Sequence, residues 1–333
     1  MIWSGHCLFV EGVYGGKKRW LMKTIEDMAL RRKIIFLCIL FAFIYIVSFP
    51  CISQSGSDVS EKLTIYVVNY PLKYFAERIA GDRAKVFFPA PSDGDPAYWM
   101  PDPETVTAYQ QADLVLLNGT NYAKWVRKVS LPRSKMVDTS SKFKDRYITA
   151  EAVVTHSHGG QGAHAHESLA FTTWLDFDLA AKQAKAVMEA LSRKKPEAKD
   201  FFKKNYAALE HDLLTLDSEM KSIAAKNPSS PLVASHPVYD YLSRRYGLNM
   251  KSVHWEPDEF PSNAQWSELR AMLIKHPAKW MIWEEEPMQA SVERLKAMGV
   301  NSLVFDPCGN APNRGDFMSD MRRNYEIFKS TFD

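Results

Sequence analysis

Beyond residue 60 the chain alternates short apolar runs with amphipathic stretches. LTIYVVNY (63–70) has the length and branched-residue content of a buried strand, and a helix is expected from Tyr74 to Ala80. AKVFFPAP reads as a second strand, residues 103–111 as a helix, and ADLVLLNG (112–119) as a third strand that runs out on a glycine. From Phe177 to Lys226 turn residues are scarce apart from Pro196. Phe201, Phe202, Tyr206, Leu209, Leu213, Leu214, Leu216 and Met220 recur there at helical spacing, predicting one long helix or two joined near Pro196. The α/β pattern then restarts with strands PLVASH, MKSVHWE, KWMIWEE and NSLVFDP separated by helical segments, and a terminal helix begins near Asp316. Strands alternating with helices predict parallel sheets with crossover helices. The expected fold class is α/β, with two lobes, each a mainly parallel sheet flanked by helices, joined by a long rigid linking helix. The expected boundaries are 62–176, 177–228 and 229–333.

Ahead of these lobes the pattern is different. Residues 34–50, IIFLCILFAFIYIVSFP, are almost wholly apolar and follow Arg31, Arg32 and Lys33, the arrangement of a signal peptide. Residues 1–51 are therefore expected to be an amino-terminal extension and export signal. Met28, which opens MALRRK, gives a signal of ordinary length. Seventeen residues are marginal for a membrane span, so an uncleaved anchor is the alternative to a cleaved signal and a periplasmic product. Cys51 follows the run as a lipidated cysteine would, but Ser48, Phe49 and Pro50 match a lipoprotein signal poorly.

Charge and cysteine content narrow the partners. Of 42 Lys and Arg and 39 Asp and Glu, seven and three fall within residues 1–50, so the remainder is close to neutral and carries no nucleic-acid footprint. Two of the four cysteines, Cys7 and Cys38, lie in the amino-terminal region; Cys51 and Cys308 are too far apart in sequence to form an evident disulfide framework.

Histidine distribution adds the chemistry. Residues 156–166 read HSHGGQGAHAH, which places His156, His158, His164 and His166, four of nine histidines, in a segment (155–167) whose Gly and Ala spacers let several imidazoles reach one ion. Ligands of parallel α/β sheets bind beyond the carboxyl ends of the strands. His236 ends PLVASH, Asp306 ends SLVFD, Glu284, Glu285 and Glu286 end KWMIWEEE, and MKSVHWE supplies His254 and Glu256. Imidazole with carboxylate suits Zn²⁺ or Mn²⁺. Neither H-E-x-x-H nor G-x-S-x-G occurs, so the reading of a zinc hydrolase has no motif behind it and no enzyme activity is expected.

Taken together, GDPAYWMPDPETVTAYQQADLVLLNG, TTWLDFDLA, LVASHPVYDYLSRRYGL, the WEEEP segment and LVFDPCG make the chain resemble the zinc- and manganese-specific solute-binding proteins of bacterial ABC importers over roughly residues 62–332. The resemblance implies two α/β lobes bridged by a long helix and a metal ion held between them. It also implies a monomeric receptor that hands its ion to a membrane permease driven by an ATPase. Zn²⁺ is the expected transported ligand, ahead of Mn²⁺ or Cu²⁺. Residues 236 and 306 match two of the family's ligand positions.

The other two positions depart from the pattern. Ala97 follows Asp95 and Pro96 where the family places a histidine, and Thr172 stands where a second histidine precedes the Trp-Leu-Asp triplet. Two repairs are open. Loop histidines could fold into the cleft beside His236 and Asp306, the favoured expectation. Otherwise Tyr98, Trp99, Thr172 and Glu286 line a cleft for a different solute. A metal buffer or chaperone without a permease is a third reading.

Overall fold

The computed structural model describes residue 28 and residues 61–92, 94–150 and 168–331. The amino-terminal apolar run, Cys51 and all four histidines of segment 155–167 lie outside the described residues. Among those described, no helix is long and apolar enough to cross a membrane.

The first lobe is built on strands β1 (Leu63–Val67), β2 (Ala84–Phe87), β3 (Leu114–Leu117) and β4 (Met136–Asp138), all parallel, in the order β2-β1-β3-β4. Helix α1 (Tyr70–Ala80) connects β1 to β2, and α2 (Pro103–Gln111) precedes β3. Both helices start where the sequence supplies a cap and an early proline. The Leu72 N–H donates to Asn69 Oδ1 with Pro71 in the first turn, and the Thr105 N–H donates to Asp102 Oδ1 with Pro103 at the first position. At Gly119, just past β3, φ is +83° and an added Cβ would lie 1.8 Å from Ser140 Oγ, so the turn has room only for glycine.

The second lobe repeats the plan with β7 (Pro231–Ala234), β8 (Asn249–Ser252), β9 (Trp280–Trp283) and β10 (Asn301–Val304), parallel and ordered β10-β9-β7-β8. Helices α5 (Asp240–Tyr246), α6 (Asn263–Lys275), α7 (Gln289–Ala297) and α8 (Phe317–Lys329) accompany it. Capping boxes at Ser262/Gln265 and Asp316/Ser319 open α6 and α8. Between the lobes run α3 (Phe177–Lys194) and α4 (Lys199–Ala224). The stretch expected as one linking element is thus two helices packed on one another and broken at Lys195–Pro196, because proline has no N–H for the ladder.

Helix α4 is the long bridge. It holds α1 through Asn205 Nδ2 donating to Ile79 O (3.0 Å) and, at its middle, an Arg78–Asp212 ion pair (2.9 Å). Its second half holds the other lobe through Asp217 to Arg245 and Glu219 to Arg322. A single buried apolar core runs from Ile65 and Leu116 through Leu209, Leu213 and Leu216 to Ile282 and Phe305, so the lobes share one interior. A second cluster around Trp255, Trp266 and Trp283 fills the far face of the second sheet.

The short strands β4, β5 (Thr149–Ala150) and β6 (Ser168–Leu169) were not anticipated, since three or two residues are too few to show a period. Strands β5 and β6 pair antiparallel and bracket the histidine-rich segment. Their base is fixed to the second lobe: the Ile148 N–H donates to Tyr241 Oη (3.3 Å), and Tyr241 is buried with Phe143, Ala170 and Leu179.

Candidate metal centre

In each four-stranded sheet the chain reverses direction across the sheet beside its first strand, at β1/β3 and at β7/β9. Such switch points open a crevice beyond the strand ends. In the second lobe this crevice receives His236, two residues past β7, and Glu284, one residue past β9. Asp306 stands two residues past β10. The strands end sooner than their apolar pattern indicated, and the candidate side chains sit in the segments that follow.

His236 is two-thirds covered, and burial lowers its pKa, with His254 adding to the effect while Glu256 and Asp95 oppose it. Burial thus favours the neutral imidazole, the form that binds metal. Its Nδ1 is buried without a hydrogen-bond partner among the described residues. Its Nε2 lies 3.7 Å from Glu256 Oε1, too long for a hydrogen bond.

The carboxylates around it are crowded. Glu284 is raised to about 7 by burial first, then by the negative charges of Glu256, Asp95, Glu285 and Asp306. Asp306 is also raised to about 7, by burial and by neighbouring Asp320 and Glu285, against the Cys308 N–H that donates to its Oδ1 at 2.6 Å. Asp95 faces this group from the first lobe. Its pKa is raised because the cleft walls crowd the carboxyl, although water reaches much of the residue, and the Ala97 N–H donating to Oδ1 (2.8 Å) opposes the rise. Mutually repelling, partly desolvated carboxylates beside a neutral imidazole leave a deficit of positive charge, which a divalent cation satisfies. Among the described residues, no three His, Cys, Asp or Glu side chains already stand as a complete metal site.

The remaining expected residues fall as follows. Ala97 and Thr172 are buried, and Thr172 Oγ1 donates to Val238 O (2.5 Å), which ties the first lobe to the turn after His236. Tyr98 is exposed, with the Lys124 ammonium 3.4 Å above its ring. Trp99 packs edge-on against Trp125. Glu286 is exposed, and Glu284 is the glutamate of that triplet that senses Asp95, Glu256 and Asp306. The first-lobe strand ends carry a buried amide network instead of ligands: Gln183 Nε2 and Asn69 Nδ2 both donate to Asn118 Oδ1. Asp95 was missed as a wall of the site, although its place in the Asp-Pro turn was a signal. Lobe closure around the cleft is held by the segment after β10, where Pro307 O accepts from Trp174 Nε1 (2.7 Å) and Asn310 Nδ2 donates to Pro91 O (2.7 Å) and Gly94 O (2.9 Å).

Two parallel α/β lobes bridged by a long helix, with candidate ligands at the strand ends between them, define the solute-binding class of protein. A solved structure of the same form is the Zn(II)-bound ZnuA-like domain of Streptococcus pneumoniae AdcA, similar with a TM-score of 0.69 at 24% identity, covering 82% of this chain and 100% of that one. Residues 65–331 match the family model described as ZnuA, zinc-uptake complex component A periplasmic, and the chain belongs to that family. Among curated relatives, the zinc-binding lipoprotein AdcA of S. pneumoniae (strain ATCC BAA-255 / R6) is 28% identical over 301 residues. The match covers 85% of this chain and only 58% of the length of that relative. The high-affinity zinc uptake system protein ZnuA of Bacillus subtilis (strain 168) is 26% identical over 242 residues, 69% of this chain and 73% of that one.

Proposed function

We propose that this chain is the substrate-binding component of a metal ABC uptake system, that Zn²⁺ is its cargo, and that it passes the ion to a permease powered by an ATPase. The observation that supports this most directly is His236, whose buried Nδ1 has no hydrogen-bond partner among the described residues and which senses Glu256 and, across the cleft, Asp95, while Glu256 and Asp95 in turn act on Glu284 together with Asp306. Imidazole with carboxylates favours zinc over manganese, which prefers an all-oxygen or oxygen-rich shell. The protein acts as an exported monomer on the outer side of the membrane, and binding and release require no catalytic step. Histidines 156, 158, 164 and 166 serve the same receptor as metal-contacting residues, since closely spaced imidazoles with Gly and Ala spacers favour zinc. The test is calorimetric titration of tag-free protein with Zn²⁺. His236→Ala and Asp306→Ala are each expected to weaken binding by at least about 100-fold, more than the usual loss of an outer-shell partner, while the apoprotein stays folded. Wild-type affinity in both variants would remove the cleft from the reading.

A further inference from the structure

We propose that His254 and Glu256, on the loop after β8, join His236 as ligands of the cargo ion, forming a two-imidazole, one-carboxylate set that belongs wholly to the second lobe. The inference rests on the zinc-receptor reading above and identifies which side chains make up for Ala97 and Thr172.

Backbone pairing brings these residues together. The β7/β8 ladder continues beyond the strands proper: the Val253 N–H donates to Ala234 O (2.9 Å) and the Trp255 N–H to Ser235 O (2.8 Å). The chain after β8 therefore runs beside the turn that carries His236. In extended backbone, alternate side chains face opposite sides. Trp255 points inward, fully buried with its ring 4.6 Å from that of Trp266 and 6.2 Å from that of Trp283. That anchor obliges its neighbours His254 and Glu256 to face outward together, and both are exposed.

The spacing suits one ion. In a tetrahedral site with metal–ligand bonds of about 2.05 Å, two ligand atoms stand about 3.4 Å apart, and two coordinated imidazole ring centres stand about 5.2 Å apart. His236 Nε2 and Glu256 Oε1 are 3.7 Å apart, and the His236 and His254 ring centres are 5.7 Å apart. Each separation exceeds the closed value by a few tenths of an ångström, as expected of an open site that contracts on its ion. His236 Nδ1 has no hydrogen-bond partner among the described residues, and Nε2 faces Glu256 at a distance longer than a hydrogen bond. The fourth position falls to Asp306.

The experiment compares the full chain carrying His254→Ala, Glu256→Gln or His236→Ala with wild type, using Zn²⁺ with a competing chelator in calorimetry and Co²⁺ as a spectroscopic stand-in. His254→Ala and Glu256→Gln are each expected to weaken Zn²⁺ binding by at least about 100-fold and to diminish the visible Co²⁺ bands of four-coordinate geometry, with unchanged apoprotein melting because both side chains are exposed. Binding that is lost with His236→Ala but retained by both loop variants would overturn this ligand set and leave the zinc-receptor reading standing. Absence of tight Zn²⁺ binding in wild type, or wild-type affinity in His236→Ala, would overturn that reading and the ligand set with it.

Discussion

Asp217, in the second half of α4, is the strongest single tie between the bridging helix and the second lobe. Its carboxylate is almost fully buried and accepts hydrogen bonds from Arg245 Nε (2.8 Å) and Nη2 (2.7 Å), Lys221 Nζ (2.8 Å) and Tyr246 Oη (3.1 Å). Burial alone would raise its pKa, but the Arg245 and Lys221 hydrogen bonds outweigh burial and hold it below the ordinary 3.8. Asp217→Ala strands Arg245, whose side chain is 17% exposed and keeps a 3.4 Å contact with Asp176. Breaking a buried ion pair costs about 3–5 kcal/mol, and this residual partner places the loss near the lower end, about 3 kcal/mol. For a domain of this size that corresponds to a fall of roughly 6 °C or more in melting temperature. Differential scanning calorimetry of the two apoproteins at pH 7 measures it. Because the folded-state pKa is depressed, the contribution is present above the unfolded value and is lost as pH falls through the folded one, so the difference should shrink below about pH 4. A variant melting within about 1 °C of wild type at pH 7 would refute the assignment of this network as the strut between helix and lobe.

Glu284 and Asp306 carry the opposite sign. With folded pKa values raised to about 7, their contribution is complete below the ordinary carboxylate range and is lost as pH rises through 7, so the apoprotein should melt lower at pH 8 than at pH 5.5. Glu284→Gln should flatten that slope, and an unchanged slope would count against the buried acid. Because Zn²⁺ binding displaces these protons, the zinc-induced melting shift should grow from pH 6 to pH 8, as paired melts with and without zinc will show. Deleting residues 156–166 should lower the number of ions bound, counted by elemental analysis, yet keep the high-affinity thermal shift, about 2.7 kcal/mol at a hundredfold excess over Kd. Loss of that shift would make the loop histidines, and not His254 and Glu256, the replacements for the missing pair. Gly119→Ala should cost about 2 kcal/mol or more in denaturant unfolding, since its Cβ would fall on Ser140 Oγ at a positive φ.

Much of the architecture follows from local sequence. Asn69 and Tyr70, which read as the end of a strand, cap and open α1, and the helix starts four residues before the expected Tyr74; elsewhere strands β1, β3, β7 and β9 are runs of branched or aromatic residues that can be buried on both faces, and Asp102, Ser262 and Asp316 mark helix starts through hydrogen bonds that reach only three residues. These are short-range effects, so a linear reading finds them. The places of His236 and Asp306 close to strand ends were legible for the same reason, as polar residues at the ends of apolar runs. The break at Lys195–Pro196 was visible as a proline, but the packing of α3 against α4 depends on contacts between residues far apart in the chain.

Tertiary structure alone decided which polar residues meet. His254 and Glu256 reach His236 because the β8 backbone keeps pairing beyond its apolar segment and because Trp255 between them is held inward by Trp266 and Trp283. Three successive glutamates are alike in sequence, yet only Glu284 is partly buried among Asp95, Glu256 and Asp306, a distinction set by where β9 ends relative to its neighbours. Asp95 joins the group across the cleft, some 140 residues from His236 in sequence. Local patterning specifies elements because backbone geometry has a short period; a site assembled from four strand ends and an opposing lobe depends on register and packing, which no single segment encodes.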